Sequence, residues 1–355
     1  MSILFIGKRF YTNRDAYSEK FGRIYQLPYY WSQNIKTDLW LIDYHSKEKI
    51  KDNDQNLRII STPIFRIYFF FMLLKFIFIT RPKTIVASGD CYIGLFSFIL
   101  AKLCCARFVF DVYDRYDTFS GYKNLGFKNL FHFLLKKADI CLFASKKLQK
   151  DSDFFCKKTY LVLNGINSNH FYPRNRNDSL KKFSLENNIY IGYFGSMEPE
   201  RGIDDLIKAI KMLHKENKKI YLLLGGKKRE DLNLEYSFIY YLGNIPFNEV
   251  PIAMACCNIL ALPYRNSDFL DNASSCKIGE YIAMEVPILA TNANSLISNI
   301  HLKTIDKKSL AEHNNPNDLK DKIMRILQKN HQKNKLNFNT WENEANASIS
   351  FLKNL

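Results

Sequence analysis

The residues best suited to chemistry lie in two short stretches of the second half of the chain. In Gly195-Ser-Met-Glu-Pro-Glu-Arg-Gly202 a glycine stands at each end, and Arg201 sits just inside the second. Glycine lets backbone approach a ligand closely, and a guanidinium offers a planar fork to phosphate oxygens. In Asp271-Asn-Ala-Ser-Ser-Cys-Lys-Ile-Gly-Glu280, Ser274 and Ser275 read as N-caps ahead of a helical run from Lys277 to Met284. Free N–H groups at such a start attract anions, whereas Lys277 in the first turn opposes the helix dipole. A bound diphosphate reverses that conflict, and Glu280, one turn on, is placed to reach a ribose hydroxyl pair. A plain turn between strand and helix and a solvated helix start are the competing readings.

Both stretches need strands to hold them. In the first half, apolar runs at Ile3–Ile6, Leu39–Tyr44, Leu57–Ser61, Thr84–Ser88, Arg107–Val112, Ile140–Ala144 and Tyr160–Leu163 alternate with helical segments. Residues 164–188 are rich in Asn, Ser, Lys and Pro. The pattern then restarts at Ile189–Phe194, Ile220–Leu224, Ile239–Leu242, Ile259–Leu262 and Ile288–Ala290. Strands separated by helices predict parallel, doubly wound α/β sheets, whose ligands bind beyond the carboxyl ends of the strands. A chain of 355 residues has room for two such domains. The expected division is 1–168 for an acceptor-binding domain and 169–330 for a nucleotide-binding one. Residues 331–355 are expected to carry a last helix (Trp341–Leu352) back to the first domain.

Composition narrows the classes of function. With 47% hydrophobic and 24% charged residues the chain is globular, and its net charge of +16 attracts polyanions. The densest aromatic run holds few cations, and the lysine clusters at 208–219 and 329–335 read as solvated surface. That pattern argues against nucleic acid as a partner. Eight cysteines without a C-x-x-C pair, and histidines without ligand spacing, give no metal site. Met1–Gly7 reads as a buried strand rather than an export signal, which points to the cytoplasm. The stretch Pro63–Pro82 is strongly apolar but interrupted by Arg66 and Lys75, so a spanning helix is not expected. It reads either as a buried helix with its cations snorkelling outward or as an in-plane helix on the anionic inner face of the cytoplasmic membrane.

A resemblance runs over nearly the whole chain. Its pieces, in order, are FIG at Phe5–Gly7, RPKTIVASG at Arg81–Gly89, AKLCCARFVFDVYD at Ala101–Asp114 and ADICLFASKKL at Ala138–Leu148. They continue with LVLNGINSNHFYP at Leu161–Pro173, YFGSMEPERGIDDLIKAI at Tyr193–Ile210 and YLGNIPFNEVPIAMACCNILALPY at Tyr241–Tyr264. SCKIGEYIAMEVPILAT at Ser275–Thr291 is the most specific, and Trp341–Glu342 closes the series. The chain resembles the retaining glycosyltransferases of family four. The resemblance implies a GT-B fold, with two Rossmann-like domains facing a central cleft, and metal-independent sugar transfer in bacterial surface polysaccharide synthesis. The nucleotide sugar, a UDP-sugar before a GDP-sugar, would be a substrate rather than a cofactor. The acceptor would be a glycan or lipid-linked glycan, and the leaving nucleotide would help to deprotonate it.

Carried over residue by residue, the resemblance implies that Arg201 and Lys277 contact the donor diphosphate and that Glu280 binds the ribose. Main chain at Asn244–Ile245 would hold the base, and Gly7 would lie in a loop facing the diphosphate. Gly195, Ser196, Asn272, Ser275 and Cys276 complete the expected donor site. Three positions depart from the common pattern: Ser196 where an Arg is frequent, Asn272 where a Glu is, and Tyr113 where a His is. Branches with a Gly-Ser loop and a Lys-x-x-Glu-Tyr motif carry an aspartate at the position of Asp114. Asp114, with Asp117 in reserve, is therefore the catalytic expectation, and Asp111 reads as a strand-end residue. The departures at Ser196 and Asn272 favour, as the alternative, a weakly active or inactive scaffold.

Overall fold

Alternating apolar strand runs and helices build two sheets, one in each of two units of the computed structural model. The structure describes residues 2–11, 14–64, 66–118, 130–217, 219–272, 276–297, 310–328 and 339–354. One unit comprises Met1–Gly165, Asn272–Ser274 and Asn339–Leu355; the other comprises Ile166–Asp271 and Ser275–Phe338. The division therefore falls at Gly165, not at the expected residue 168.

The first unit contains β1 (Ser2–Lys8), a small antiparallel hairpin of β2 (Phe10–Tyr11) and β3 (Arg14–Asp15), β4 (Lys36–Asp43), β5 (Ile50–Asp54) and β6 (Leu57–Pro63). It continues with β7 (Thr84–Ser88), β8 (Arg107–Val112), β9 (Ile140–Phe143) and β10 (Thr159–Leu161). Their order in the sheet is β10-β9-β8-β7-β1-β4-β6-β5, parallel throughout except where β5 pairs antiparallel with β6. Because side chains alternate across a strand, Leu4 and Ile6 join one core and Ile3 and Phe5 the other. The helices Ile67–Lys75, Cys91–Leu103 and Leu130–Lys137 cover the first face. Helices Gly22–Ser32 and Trp341–Lys353 cover the second. There the Trp31 indole N–H donates to the Ala345 carbonyl and to Ser348 Oγ, each at 3.1 Å.

In the second unit β11 (Ile189–Phe194), β12 (Ile220–Gly225), β13 (Ile239–Tyr241), β14 (Ile259–Leu262) and β15 (Ile288–Ala290) form an all-parallel sheet, ordered β13-β12-β11-β14-β15. Helix Ile203–Glu216 follows β11, its apolar stripe of Leu206, Ile210 and Leu213 fully buried. The polar segment 164–188 contains the helix Arg176–Lys182, which Asn175 caps by accepting from the Asp178 amide.

Two expectations about the first unit are corrected. Gly7 belongs to β1 rather than to a loop; it pairs with Leu41 and Ser88, and a Cβ there would meet Ile24 Cγ2 at 2.5 Å. The aromatic stretch is a helix over Ile67–Lys75 that passes into a π-turn, Phe76–Thr80. Phe69, Met72 and Phe76 pack around Trp40, but Ile67 and Ile79 are 75% and 76% exposed, so it is not a buried helix. Among the described residues no helix is long and apolar enough to cross a membrane.

Candidate functional site

The carboxyl ends of three neighbouring strands in the second unit, β11, β12 and β13, lead into Gly195, Gly225–Gly226 and Gly243. The Gly195 amide donates to the Gly225 carbonyl at 2.8 Å, and the Gly226 amide donates to the Gly243 carbonyl at 2.7 Å. Gly195 holds φ at +141°, which a side chain disfavours. A Cβ built on it would stand 2.1 Å from Lys277 Cε and 2.6 Å from Nζ. The tail of Lys277 therefore occupies the space that a side chain at Gly195 would fill.

Lys277 opens the helix Lys277–Ala283, whose position is fixed from β11: the Phe194 amide donates to the buried Tyr281 hydroxyl at 3.0 Å. Glu280 is half-buried on the same first turn. The N-cap position falls at Cys276, which makes no side-chain cap bond. Ser275 lies outside the described residues, as does Ser274. Asn272 ends the short helix Asp268–Asn272.

Arg201 completes the group. Its guanidinium lies 4.6 Å from the centroid of the Tyr264 ring, and its Nη1 is buried without a hydrogen-bond partner among the described residues. The ring is held in place by its surroundings. Thr291 Oγ1 donates to the Tyr264 carbonyl at 2.6 Å, and Arg265 clasps Asp205 at 2.7 Å, tying the loop after β14 to the helix after β11. Gly202, at φ +69°, lets the arginine loop pass the Pro263 carbonyl. Neither Arg201 nor Lys277 forms an ion pair among the described residues. Burial pushes the Lys277 ammonium below its ordinary 10.5; Tyr264 offsets part of this, and the Arg201 guanidinium lowers it further. Two cations thus share a poorly solvated place, where the Glu280 charge offsets part of the cost to Lys277 but no ion pair to either cation forms among the described residues, an arrangement suited to a polyanion.

The remaining donor-site candidates line the same edge. Ser196 is half-buried, and its carbonyl accepts from the Tyr193 hydroxyl at 2.7 Å. Asn244 is exposed just beyond Gly243, and Ile245 lies close against Gly225. Gly7 is the exception, since it lies in the first unit, inside β1.

In the first unit the carboxyl ends of β1, β7 and β8 gather a second polar group. Asp114 Oδ2 accepts from the Tyr11 hydroxyl at 2.5 Å, and Asp114 Oδ1 accepts from the Arg115 amide at 2.8 Å. Burial, with the Asp114 charge added, pushes the Tyr11 phenol far above its usual range. Asp90 caps the helix Cys91–Leu103 through the Ile93 amide and lies 3.6 Å from Lys8 Nζ. Asp117 is gripped by both arms of Arg115 at 2.9 Å. Burial alone would raise its pKa, but the Arg115 hydrogen bond and charge outweigh that and hold it below the ordinary value. Asp111 is more than a strand end: fully buried, it takes Arg23 Nη2 at 2.7 Å and Ser88 Oγ at 2.6 Å.

Sequence reading misses Tyr264 and Tyr11. Tyr264 had one signal, its place directly after β14 at Leu262–Pro263. Tyr11 had none, being separated from Asp114 by 103 positions.

Residues 188–329 match the model of the family described as glycosyl transferases group 1. An uncharacterized glycosyltransferase of Methanocaldococcus jannaschii is 30% identical over 206 residues, 56% of this chain and 52% of that protein. The chain thus spans about half the length of this curated relative. Among solved structures, sucrose-phosphate synthase from Thermosynechococcus elongatus aligns with a TM-score of 0.68 at 15% identity, covering 100% of this chain and 99% of that one. HepE of Anabaena, solved in complex with UDP, aligns at 0.65 and 15% identity over 99% and 95% of the two chains. At such identities the likeness is one of fold: the chain has the two-domain α/β GT-B fold.

Proposed function

We propose that this chain is a glycosyltransferase that binds a nucleotide sugar, a UDP-sugar before a GDP-sugar, in its second unit. It moves the sugar, with retention of configuration, to a glycan or lipid-linked glycan of bacterial surface polysaccharide synthesis. The observation that carries the reading is the pair of half-buried cations, Arg201 and Lys277, beside the glycine turns that follow the strands and without an ion pair among the described residues. A diphosphate supplies the missing negative charge, and the same two cations would neutralise it as it leaves. Glu280 would take the ribose hydroxyls, and main chain at Asn244–Ile245 the base. Gly195 and Ser196 would bring backbone against the phosphates. In the first unit Asp114 is the better candidate to meet the acceptor, because its partners are neutral donors, the Tyr11 hydroxyl and the Arg115 amide, whereas the Asp117 charge is already paired with the Arg115 guanidinium.

Calorimetric titration with UDP, UDP-glucose and GDP-mannose tests the donor reading. Micromolar to submillimolar binding of at least one ligand is expected, weakened by Arg201→Ala. A wild-type protein that binds none of them overturns it. Ser196 and Asn272 favour the scaffold alternative, which predicts donor binding without release of UDP from any UDP-sugar.

A further inference from the structure

The helical stretch after β6 is apolar on both sides. Phe69, Met72 and Phe76 turn inward, whereas Ile67, Phe70, Phe71, Leu74, Phe78 and Ile79 are between 49% and 76% exposed. The outward set repeats at helical spacing, so it forms one stripe rather than scattered side chains. A second helix extends it. The Phe96 ring of helix Cys91–Leu103 meets Phe69, and Cys104 Sγ reaches the Phe76 carbonyl, which sets the exposed Ile99 and Leu103 beside the stripe. Eight large side chains at about 60% exposure amount to roughly 800 Å² of apolar surface, taking about 170 Å² for each. The largest patch on an ordinary soluble protein is about 300–600 Å².

The charges carried by the two segments that form this patch have one sign. Segments 63–83 and 91–107 contain no Asp or Glu, and they carry Arg66, Lys75, Arg81, Lys83 and Lys102 at exposed or half-exposed positions. Lys49 and Lys51 add to the rim, the first with its Nζ 3.4 Å from the Tyr68 ring centroid. A second copy of the chain docked through this face would set cations against cations. An anionic bilayer meets both features at once, apolar side chains entering the acyl boundary and cations resting among the headgroups.

We propose that the face formed by Ile67–Thr80 and the far end of Cys91–Leu103 is a docking surface for an anionic lipid bilayer. The helix lies in the plane of the interface, with Phe70, Phe71, Leu74 and Phe78 inserted and Arg66, Lys75 and Arg81 flanking them. This surface belongs to the first unit and does not depend on the transfer reaction.

Flotation of the full chain with vesicles tests it, using phosphatidylcholine alone and phosphatidylcholine with about 30 mol% phosphatidylglycerol. Wild type should float with the anionic vesicles and at least about tenfold more weakly with the neutral ones. The double variant Phe71→Ser/Phe78→Ser should lose about tenfold or more per ring removed, and Lys75→Gln/Arg81→Gln about fivefold per charge. Circular dichroism and UDP titration of the same variants should match wild type, which separates loss of docking from loss of fold or of donor binding. Three results overturn the proposal: wild type that ignores anionic vesicles, a Phe variant that floats like wild type, or self-association in sedimentation velocity that the Phe variant abolishes. The last would make a second copy the occupant.

Discussion

Replacing Lys277 by methionine should move stability and donor affinity in opposite directions. Methionine keeps the length and the apolar stem but removes an ammonium that stands near Arg201 with no ion pair among the described residues. Because burial lowers the folded pKa of Lys277 below 10.5, the unfolded chain binds the proton more readily than the folded one. Where pH lies between the folded and the unfolded pKa, stability must therefore rise with pH, and below the folded pKa the charge costs stability in full. Lys277→Met removes both the cost and the slope. Near neutral pH its unfolding free energy should equal or exceed that of wild type. The difference between the two should shrink as pH climbs toward 10.5. Bound UDP reverses the sign. Two unit charges about 4 Å apart attract by about 4 kcal/mol at an effective dielectric near 20. After desolvation, a charged hydrogen bond keeps about 1.5–3 kcal/mol. The Kd for UDP should then weaken about 10- to 150-fold. Urea unfolding from pH 7 to 10 and calorimetric titration read the two effects. A variant destabilised by more than about 1 kcal/mol, or one that binds UDP as wild type does, refutes the reasoning.

Gly195→Ala should fold, by circular dichroism, yet bind UDP about tenfold more weakly, since its Cβ would stand 2.1 Å from Lys277 Cε at a φ of +141°. Asp111→Ala leaves the buried Arg23 guanidinium without its carboxylate, so urea unfolding should show a loss of about 3–5 kcal/mol. UDP affinity measured below the unfolding transition should not change, because Asp111 lies in the first unit. In Gly165→Ala the new Cβ would lie 2.3 Å from the Trp341 backbone nitrogen, and backbone cannot swing aside as a side chain can. Protease should then cut within 339–354 at least about tenfold faster than in wild type, reflecting a lost docking free energy of more than about 1.4 kcal/mol.

Strands such as Ile3–Ile6 and Ile259–Leu262 are legible in the sequence because strands of a covered parallel sheet are buried on both faces and read as unbroken apolar runs. Ile50–Asp54 is not: as an antiparallel edge strand it is mostly exposed and reads IKDND, a pattern no different from loop. Arg201 and Lys277 stand out because each is a cation where the loop after an apolar strand enters a helix, the place where a parallel sheet presents its ligands. What lies under or against a side chain is set by topology instead. Tyr11 against Asp114 has no local signature, and Tyr264 beneath Arg201 has only its place just after β14. The same reason hides the difference among Asp111, Asp114 and Asp117, which occupy one short segment but face Arg23, Tyr11 and Arg115 respectively. Gly7 shows a related confusion, because a glycine that admits Ile24 against a strand looks in sequence like a glycine that opens a loop.

The return of helix Trp341–Lys353 to the first unit also governs the order in which the chain can be made. Trp31, Tyr160 and the Leu163 amide find their partners at Ala345, Phe351 and Glu344, residues translated only after the whole second sheet. Until then the first 165 residues leave the ribosome with one face of their sheet incompletely covered, while Ile166–Asp271 can already begin to collapse on its own contacts. The half made first is thus the half completed last. A chaperone that holds nascent chains would be expected to occupy the groove over Trp31 and Phe5 until residue 352 is free to displace it.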